Sequence, residues 1–103
     1  MQISVTIEDP VATLMIDENR INPDARSVFH QAYKPLLDYD KTKIIVVNLS
    51  KLDAIDCSGM GLLVLLRQHA MEAGKTVELA QCPRPIRKAL EVARFHKIFK
   101  ISH

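Results

Sequence analysis

The chain has 103 residues, of which 48% are hydrophobic and 25% charged, and its formal net charge is +2 at pH 7. This balance excludes a disordered chain, and the length fits one domain, which we place over residues 1–103. The small net charge argues against a dedicated nucleic-acid binder. The longest apolar runs are far shorter than the ~20 residues that a membrane span needs. We therefore expect a cytoplasmic protein with no membrane insertion.

The first half of the chain predicts two strands followed by a helix. Residues 3–9 alternate in period two, which is typical of a half-buried strand, and residues 11–16 follow as a second strand. The acidic and proline residues between them suit a tight reversal, so the two strands are expected to form a hairpin. Pro23 and Asp24 favour a helix start, and Pro35 should bend or end that helix.

The second half alternates strands with helices. Residues 42–49 form a β-branched run typical of a central strand, and a helix runs from about Ser58 to Ala73, where Gly74 stops it. A strand over 75–80, a short helix over 85–93 and a short final strand or turn complete the pattern. This order predicts a small α/β domain whose mixed sheet combines an N-terminal hairpin with parallel strands, joined by right-handed crossovers. The helices should lie mainly on one face of the sheet.

The helix that begins near Ser58 has two faces when its positions are spaced at 100° per residue. The core face is predicted to hold Leu62, Leu63, Leu65, Leu66, His69, Ala70 and Ala73. The opposite face holds Met60, Val64, Arg67, Gln68 and Met71, of which three are apolar. An apolar stripe on the solvent side predicts a surface for a partner protein, unless another element of the same domain covers it. We expect His69 to be a packed histidine.

The first turn of this helix has an unusual composition. Ser58 is a favoured N-cap residue, and Asp56 could cap the helix instead. Gly59 and Gly61 each cost up to ~1 kcal/mol relative to alanine in a helix. Two glycines here suggest that another molecule must approach the backbone closely, either a modifying enzyme or a flat partner surface.

A phosphate on Ser58 is chemically sensible. It would face free amides and the positive end of the helix dipole, and it would add about −1.5 to −2 charge. The domain would tolerate this group, whereas a partner packed on the helix would have to desolvate it. Local physics thus permits a switch without a change of fold, and it equally permits a serine that only caps the helix.

Residues 42–101 resemble the STAS domain family, specifically the bacterial anti-sigma factor antagonists. The resemblance rests on a strand, a short loop, a D-x-S-G element, a helix ended by glycine, a strand, a short helix and a closing apolar segment. Asp56, Ser58 and Gly59 match that element. The first 41 residues fit in order and length with little specific identity.

The resemblance implies a protein-binding module of a partner-switching pathway that is controlled by phosphorylation. Its partner would be an anti-sigma factor that is also a serine kinase of histidine-kinase-like ATPase fold, bound while Ser58 is unphosphorylated. The kinase would phosphorylate Ser58, and a PP2C-type serine phosphatase would reverse this. The expected contact surface comprises Asn22, Asp53, Asp56, Cys57, Gly59, Met60, Gly61, Val64, Arg67 and Met71.

Two departures from the family pattern concern charge. Many relatives have aspartate where this chain has Asn22 and Asn48. Each change removes negative charge near Ser58, but asparagine can still cap and form hydrogen bonds, so weaker and unchanged recognition by the usual kinase are both left open.

Other functions are also considered. No nucleophile, base and orienting acid can be assembled, and there is no glycine-rich phosphate loop, so we expect no enzymatic activity and no cofactor. Cys57 and Cys82 lack metal-ligand spacing and are expected to be free thiols, with no metal site. The C-terminal part is locally basic and could face an acidic partner or a membrane surface. An alternative function is therefore that of an accessory subunit of a membrane transporter complex. A small-ligand or nucleotide-binding module is the third alternative.

Overall fold

The computed structural model describes residues 2–21 and 25–102. Within them, the elements are β1 (Ile3–Glu8), β2 (Val11–Ile16), α1 (Ala25–Leu37), β3 (Ile44–Asn48), α2 (Cys57–Glu72), β4 (Thr76–Ala80), α3 (Arg84–Val92), a 3-10 turn (Phe95–Lys97) and β5 (Lys100–Ile101). The predicted order of strands and helices is confirmed. Pro23 and Asp24, the predicted start of the first helix, lie outside the described residues.

The strands form one mixed sheet in the order β1-β2-β3-β4-β5. β1 and β2 are antiparallel and are joined by a two-residue turn at Asp9 and Pro10, as the hairpin prediction requires. The other neighbouring strands are parallel. This architecture confirms the predicted mixed α/β fold.

The core lies between one face of the sheet and the helices. Alternate positions of the strands are buried on this face, as a period of two requires. All three helices contribute residues to the same hydrophobic cluster, which includes Phe29 from α1, Leu63 and Leu66 from α2, and Leu90 from α3. Burying each leucine contributes about 2 kcal/mol. The opposite face of β2 and β3 is only half-buried, so the helices do lie mainly on one side.

Two element boundaries follow the predicted signals. α1 includes Pro35 and ends two residues later at Leu37, and Leu36 in this last turn is buried in the core. The segment after α3 forms both predicted alternatives, since the 3-10 turn is followed by the short strand β5.

A buried lysine fixes the C-terminal end of α2. Lys75 is only 5% exposed, and its ammonium group donates hydrogen bonds to the backbone carbonyls of Tyr39 at 2.8 Å and Thr42 at 2.6 Å. These bonds connect the turn after α2 with the turn before β3. They hold the end of α2 that is farthest from Ser58.

Candidate functional site

The loop between β3 and α2 presents the N-terminus of α2 at the carboxyl end of the central strand. Its course is fixed by backbone hydrogen bonds from Leu49 to Ala80 at 3.1 Å and from Asp53 to Asn19 at 2.8 Å. Leu52 anchors the loop in the core. These contacts fix the position of the loop relative to the sheet.

Asn48 has a structural role at the start of this loop. Its side chain is buried, and the amide oxygen accepts a hydrogen bond from the backbone N–H of Ser50 at 2.9 Å. An aspartate oxygen could accept the same bond, but it would place a charge in a site that is only 6% exposed. The neutral amide makes this turn without that cost.

Asp56, and not Ser58, caps α2. One carboxylate oxygen of Asp56 accepts a hydrogen bond from the backbone N–H of Gly59 at 2.9 Å, and the carbonyl of Asp56 accepts from Met60. α2 begins at Cys57, so Ser58 is its second residue. Of the two capping residues that the sequence allows, the structure therefore uses Asp56 and not Ser58.

Ser58 is exposed at the end of the helix that carries the positive dipole. The amides of the first helical residues have no acceptor one turn earlier in the helix. Asp56 satisfies the amide of Gly59, whereas those of Cys57 and Ser58 precede the first intrahelical hydrogen bond. Cys57 is exposed beside Ser58. This end of α2 can therefore take an additional anionic group.

The two glycines of the first turn have different explanations. Gly59 is buried, and a Cβ added there would lie 3.0 Å from Cγ1 of Ile55 and 3.1 Å from Cδ1 of Ile21. Its small size therefore serves packing within the chain, which corrects the expectation that it lies open to a partner. Gly61 is exposed, and a Cβ there would meet nothing within 4 Å. Of the two glycines, only Gly61 leaves its backbone accessible to another molecule.

The exposed stripe of α2 is rotated from its predicted position. Val64 and Met71 are 38% and 57% exposed, as expected. Met60 instead packs partly against the core, and Arg67 donates a hydrogen bond through Nε to the carbonyl of Ile98 at 3.1 Å. The segment after the 3-10 turn thus contacts Arg67, and the prediction that this whole face points to solvent is wrong for Met60 and Arg67.

The residues that form a continuous exposed arc on α2 follow helical spacing from its first turn to its last. We call this arc the α2 stripe, and it consists of Ser58, Gly61, Val64, Gln68 and Met71. Asp53, Asp56 and Cys57 are also exposed at the end of the arc that carries Ser58. Asn22 lies outside the described residues. Of the predicted contact residues that the structure describes, Gly59 is buried and Met60 and Arg67 are half-buried, whereas the others are exposed.

The inner side of α2 is narrower than predicted. Leu63, Leu66 and Ala70 are fully buried, whereas Ala73 is exposed. Leu62, Leu65 and His69 are half-buried at the edges of this face. Nδ1 of His69 lies 2.8 Å from the hydroxyl of Tyr33 in α1, so His69 is a packed histidine that joins the two helices, as predicted.

A polar network ties the loop to the hairpin. The ammonium group of Lys51 lies 2.8 Å from a carboxylate oxygen of Asp17, and the hydroxyl of Ser4 donates to the other oxygen. The hydrogen bond from Lys51, followed by that from Ser4, holds the pKa of Asp17 below its usual value of 3.8. The charges of this network fix the loop and lie outside the α2 stripe.

The two cysteines differ in environment. Cys57 is exposed and Cys82 is buried, and neither forms a disulfide. Burial raises the pKa of the Cys82 thiol to about 11. Among the residues that the structure describes, no cluster of three or more His, Cys, Asp or Glu side chains could hold a metal ion.

The family model described as Mlab, STAS domain, matches residues 6–101, and the chain therefore belongs to the STAS domain family. A STAS-domain containing protein of Pseudomonas aeruginosa (strain UCBPP-PA14) is 33% identical over 85 residues, which are 82% of each chain. The family predicted from the sequence is thereby confirmed.

Solved structures with this fold include anti-sigma factor antagonists. Unphosphorylated SpoIIAA superposes with a TM-score of 0.79 at 12% identity, over 99% of this chain and 89% of that one. The protein TM1081 of Thermotoga maritima gives a TM-score of 0.81 at 20% identity, over 98% of this chain and 80% of that one. At these identities the likeness establishes the fold alone. In residues 2–21 and 25–102, no helix has the length and apolarity needed to cross a membrane.

Proposed function

We propose that this chain is a phosphorylation-controlled binding module of a partner-switching pathway, an anti-sigma factor antagonist, and that Ser58 is its phosphorylation site. The proposed partner is a serine kinase of histidine-kinase-like ATPase fold that binds while Ser58 is unmodified, and a PP2C-type phosphatase restores that state. The module itself carries out no catalytic step. The observation that carries the proposal is the α2 stripe, which joins the Ser58 hydroxyl to exposed apolar side chains.

Phosphorylation is compatible with the fold because Ser58 is not used for structure. Asp56 already caps α2, so modification of the Ser58 hydroxyl removes no capping bond. The phosphate would lie at the positive end of a helix of 16 residues, where negative charge is stabilised. A structure of SpoIIAA in its phosphorylated form, with a TM-score of 0.73, supports the view that this fold accepts a phosphate.

The same phosphate would oppose a partner on the α2 stripe. Gly61 lies one turn from Ser58, and Val64 lies one turn further along the same side. A protein packed on Gly61 and Val64 would exclude water from the neighbourhood of Ser58. A group that carries about −1.5 to −2 charge would then be desolvated without compensation, so binding would be lost while the fold persists.

Binding measurements on variants of the α2 stripe test this proposal. Each protein is immobilised and then incubated with native lysate. The set comprises wild type, Ser58→Ala, Ser58→Asp and Val64→Asp, with Gln31→Asp as a control on the exposed side of α1. Wild type, Ser58→Ala and the control should retain the same kinase-type partner. Ser58→Asp and Val64→Asp should lose it. Retention by Ser58→Asp would refute the switch, and retention by Val64→Asp would refute the assigned surface.

A second candidate is an accessory subunit of a membrane transporter complex. A sulfate transporter family protein from Wolinella succinogenes has this fold, with a TM-score of 0.73 at 16% identity over 94% of this chain and 80% of that one. The exposed basic residues of the C-terminal part would suit an acidic partner there. In this case the chain would co-purify with membrane proteins, and its binding would be indifferent to ATP and to Ser58→Asp.

A further inference from the structure

The first strand is an unprotected edge of the sheet. β1 has six residues and lies at one end of the strand order, so one of its sides has no neighbouring strand within the described chain. β5, at the other end, has only two residues and begins with Lys100. A short edge strand and an edge lysine both hinder pairing with another strand. β1 has no lysine, no proline and no charge before Glu8. It is therefore the edge open to another strand.

The register of the hairpin identifies the backbone groups on the free side of β1. The N–H of Asp17 donates to the carbonyl of Gln2 at 2.9 Å, and Ile3 lies opposite Ile16. In an antiparallel pair, hydrogen-bonded and non-hydrogen-bonded positions alternate along the strand. Even-numbered residues of β1 thus bond to β2. The N–H and C=O groups of Ile3, Val5 and Ile7 point away from it.

The same three residues place apolar side chains beside those groups. Ile3 and Val5 lie opposite Ile16 and Leu14 and therefore share the face of the sheet that carries the helices. Val5 is 42% exposed and Ile7 is 48% exposed, although this face is buried in the neighbouring strand. The free edge therefore offers hydrogen-bonding groups and unburied apolar surface at the same positions.

The sequence of β1 is nearly symmetric about Val5. Residues 3–7 read I-S-V-T-I, so aliphatic β-branched residues and hydroxyl residues occur in the same order in both directions. An antiparallel strand with this same sequence is therefore matched to it position by position. A partner of unrelated sequence would not require this symmetry.

We propose that β1 pairs antiparallel with β1 of a second copy of this chain, about a two-fold axis at Val5. Ile3 of one copy then lies opposite Ile7 of the other, and Val5 lies opposite Val5. Each of these opposed pairs exchanges two backbone hydrogen bonds. Cross-strand pairs of β-branched residues add favourable side-chain contacts, and such a contact between identical surfaces closes as a dimer.

Charge is compatible with this register. Ser4 of one copy lies opposite Thr6 of the other, and Gln2 lies opposite Glu8, so no two like charges are directly opposed. The pairing would extend the sheet across the two copies. Because α2 follows the central strand β3 and packs against α1 and β4, each copy would keep its own α2 stripe. The dimer is thus independent of the proposed role of Ser58.

Light scattering over a concentration series, applied to wild type and to variants of Val5, tests the dimer. Wild type should approach twice the mass of one chain as concentration rises. Val5→Pro removes an N–H from the free side and none from the bonds to β2, so it should keep its circular dichroism spectrum and stay monomeric. Val5→Thr, which keeps both the N–H and a β-branched shape, is the matched control and should still dimerise.

Two variants with opposite charges at position 5 test whether the strand that pairs with β1 comes from a second copy of the chain. Val5→Lys and Val5→Glu should each be monomeric because like charges would meet at the two-fold axis. Mixed in equal amounts, they should recover the doubled mass. A wild type that remains monomeric at its highest soluble concentration would overturn the proposal. So would a folded Val5→Pro variant that still dimerises, or a mixture of the charged variants that stays monomeric.

Discussion

The carboxylate of Asp56 accepts the backbone N–H of Gly59 at 2.9 Å, so the helix cap of the D-x-S-G element is Asp56 and not Ser58, the proposed phosphorylation site. Asp56 stabilises the start of α2, Gly59 packs beneath it, and Ser58 between them is exposed. A residue used for regulation must change chemically without unfolding its domain. In this element the neighbours of Ser58 supply the structural interactions.

Removal of the cap should therefore cost stability where removal of the serine hydroxyl does not. Asp56→Ala is expected to lower the free energy of unfolding by about 1 kcal/mol, because the amide of Gly59 loses its acceptor. Ser58→Ala should stay within about 0.5 kcal/mol of wild type. Urea denaturation measures both variants. An equal loss in the two would mean that the Ser58 hydroxyl caps the helix in solution.

The two glycines should respond in opposite ways to alanine. Gly61→Ala is expected to raise the free energy of unfolding by up to ~1 kcal/mol, since alanine favours the helix and meets nothing within 4 Å. Gly59→Ala adds a methyl group 3.0 Å from Ile55 and 3.1 Å from Ile21, so crowding should cancel that gain or exceed it. Thermal denaturation of both variants compares them. A Gly59→Ala variant as stable as Gly61→Ala would contradict the packing role of Gly59.

The two thiols should react at very different rates. At pH 8, iodoacetamide should modify the exposed Cys57 in the folded protein, whereas Cys82 should react only after unfolding, because it is buried and its pKa is raised to about 11. Mass spectrometry of the alkylated peptides follows both sites, with Cys57→Ser as the control that lacks the fast reaction. Equal rates in the folded chain would contradict the burial of Cys82.

The raised pKa of Cys82 also fixes a pH dependence of stability. The pKa of the Cys82 thiol is higher in the folded chain than in the unfolded chain, where it is 9.0. The thiol therefore contributes to the free energy of unfolding, and this contribution is complete at pH values below 9.0. This contribution should be lost as pH rises from 9.0 to about 11. Denaturation of wild type and Cys82→Ala across that interval should show a steeper loss in wild type. An equal loss of stability with pH in the two proteins would contradict the raised pKa of Cys82.

Asp17 should titrate below its usual range because Lys51 and Ser4 bond to its carboxylate. In an NMR titration, Lys51→Met should move the pKa of Asp17 up towards 3.8, and Ser4→Ala should move it less. The lowered pKa gives stability that is present above 3.8 and lost as pH falls below that value. An unchanged pKa of Asp17 in Lys51→Met would show that the contact does not persist in solution.

The order of elements could be predicted because its signals are local. The β-branched run of β3, the alternation in β1 and β2, and the glycine after α2 each depend on a few neighbouring residues. The family was also recognisable, since the D-x-S-G element stands between a strand and an apolar helix. These features need no knowledge of distant contacts.

The exposure of α2 residues could not be fully predicted because it depends on segments far along the chain. Arg67 is bonded to the carbonyl of Ile98, 31 residues later, and Gly59 is packed against Ile21, 38 residues earlier. A single-helix projection contains neither contact. It therefore displaced the predicted contact face towards Met60 and Arg67, although the predicted contact surface already included Gly61 beside Ser58.

Phosphate mapping coupled to partner binding tests the central claim most directly. Trypsin releases residues 52–67 as one peptide, in which Ser58 is the only hydroxyl residue, so a phosphate on that peptide is located without ambiguity. The chain is incubated with native lysate and ATP, and partner-bound and free fractions are compared, with Ser58→Ala as control. We predict a phosphate on this peptide in the free fraction of wild type, and none in the bound fraction or the control. A phosphopeptide of equal abundance in bound and free fractions, or none at all, would contradict the role of Ser58.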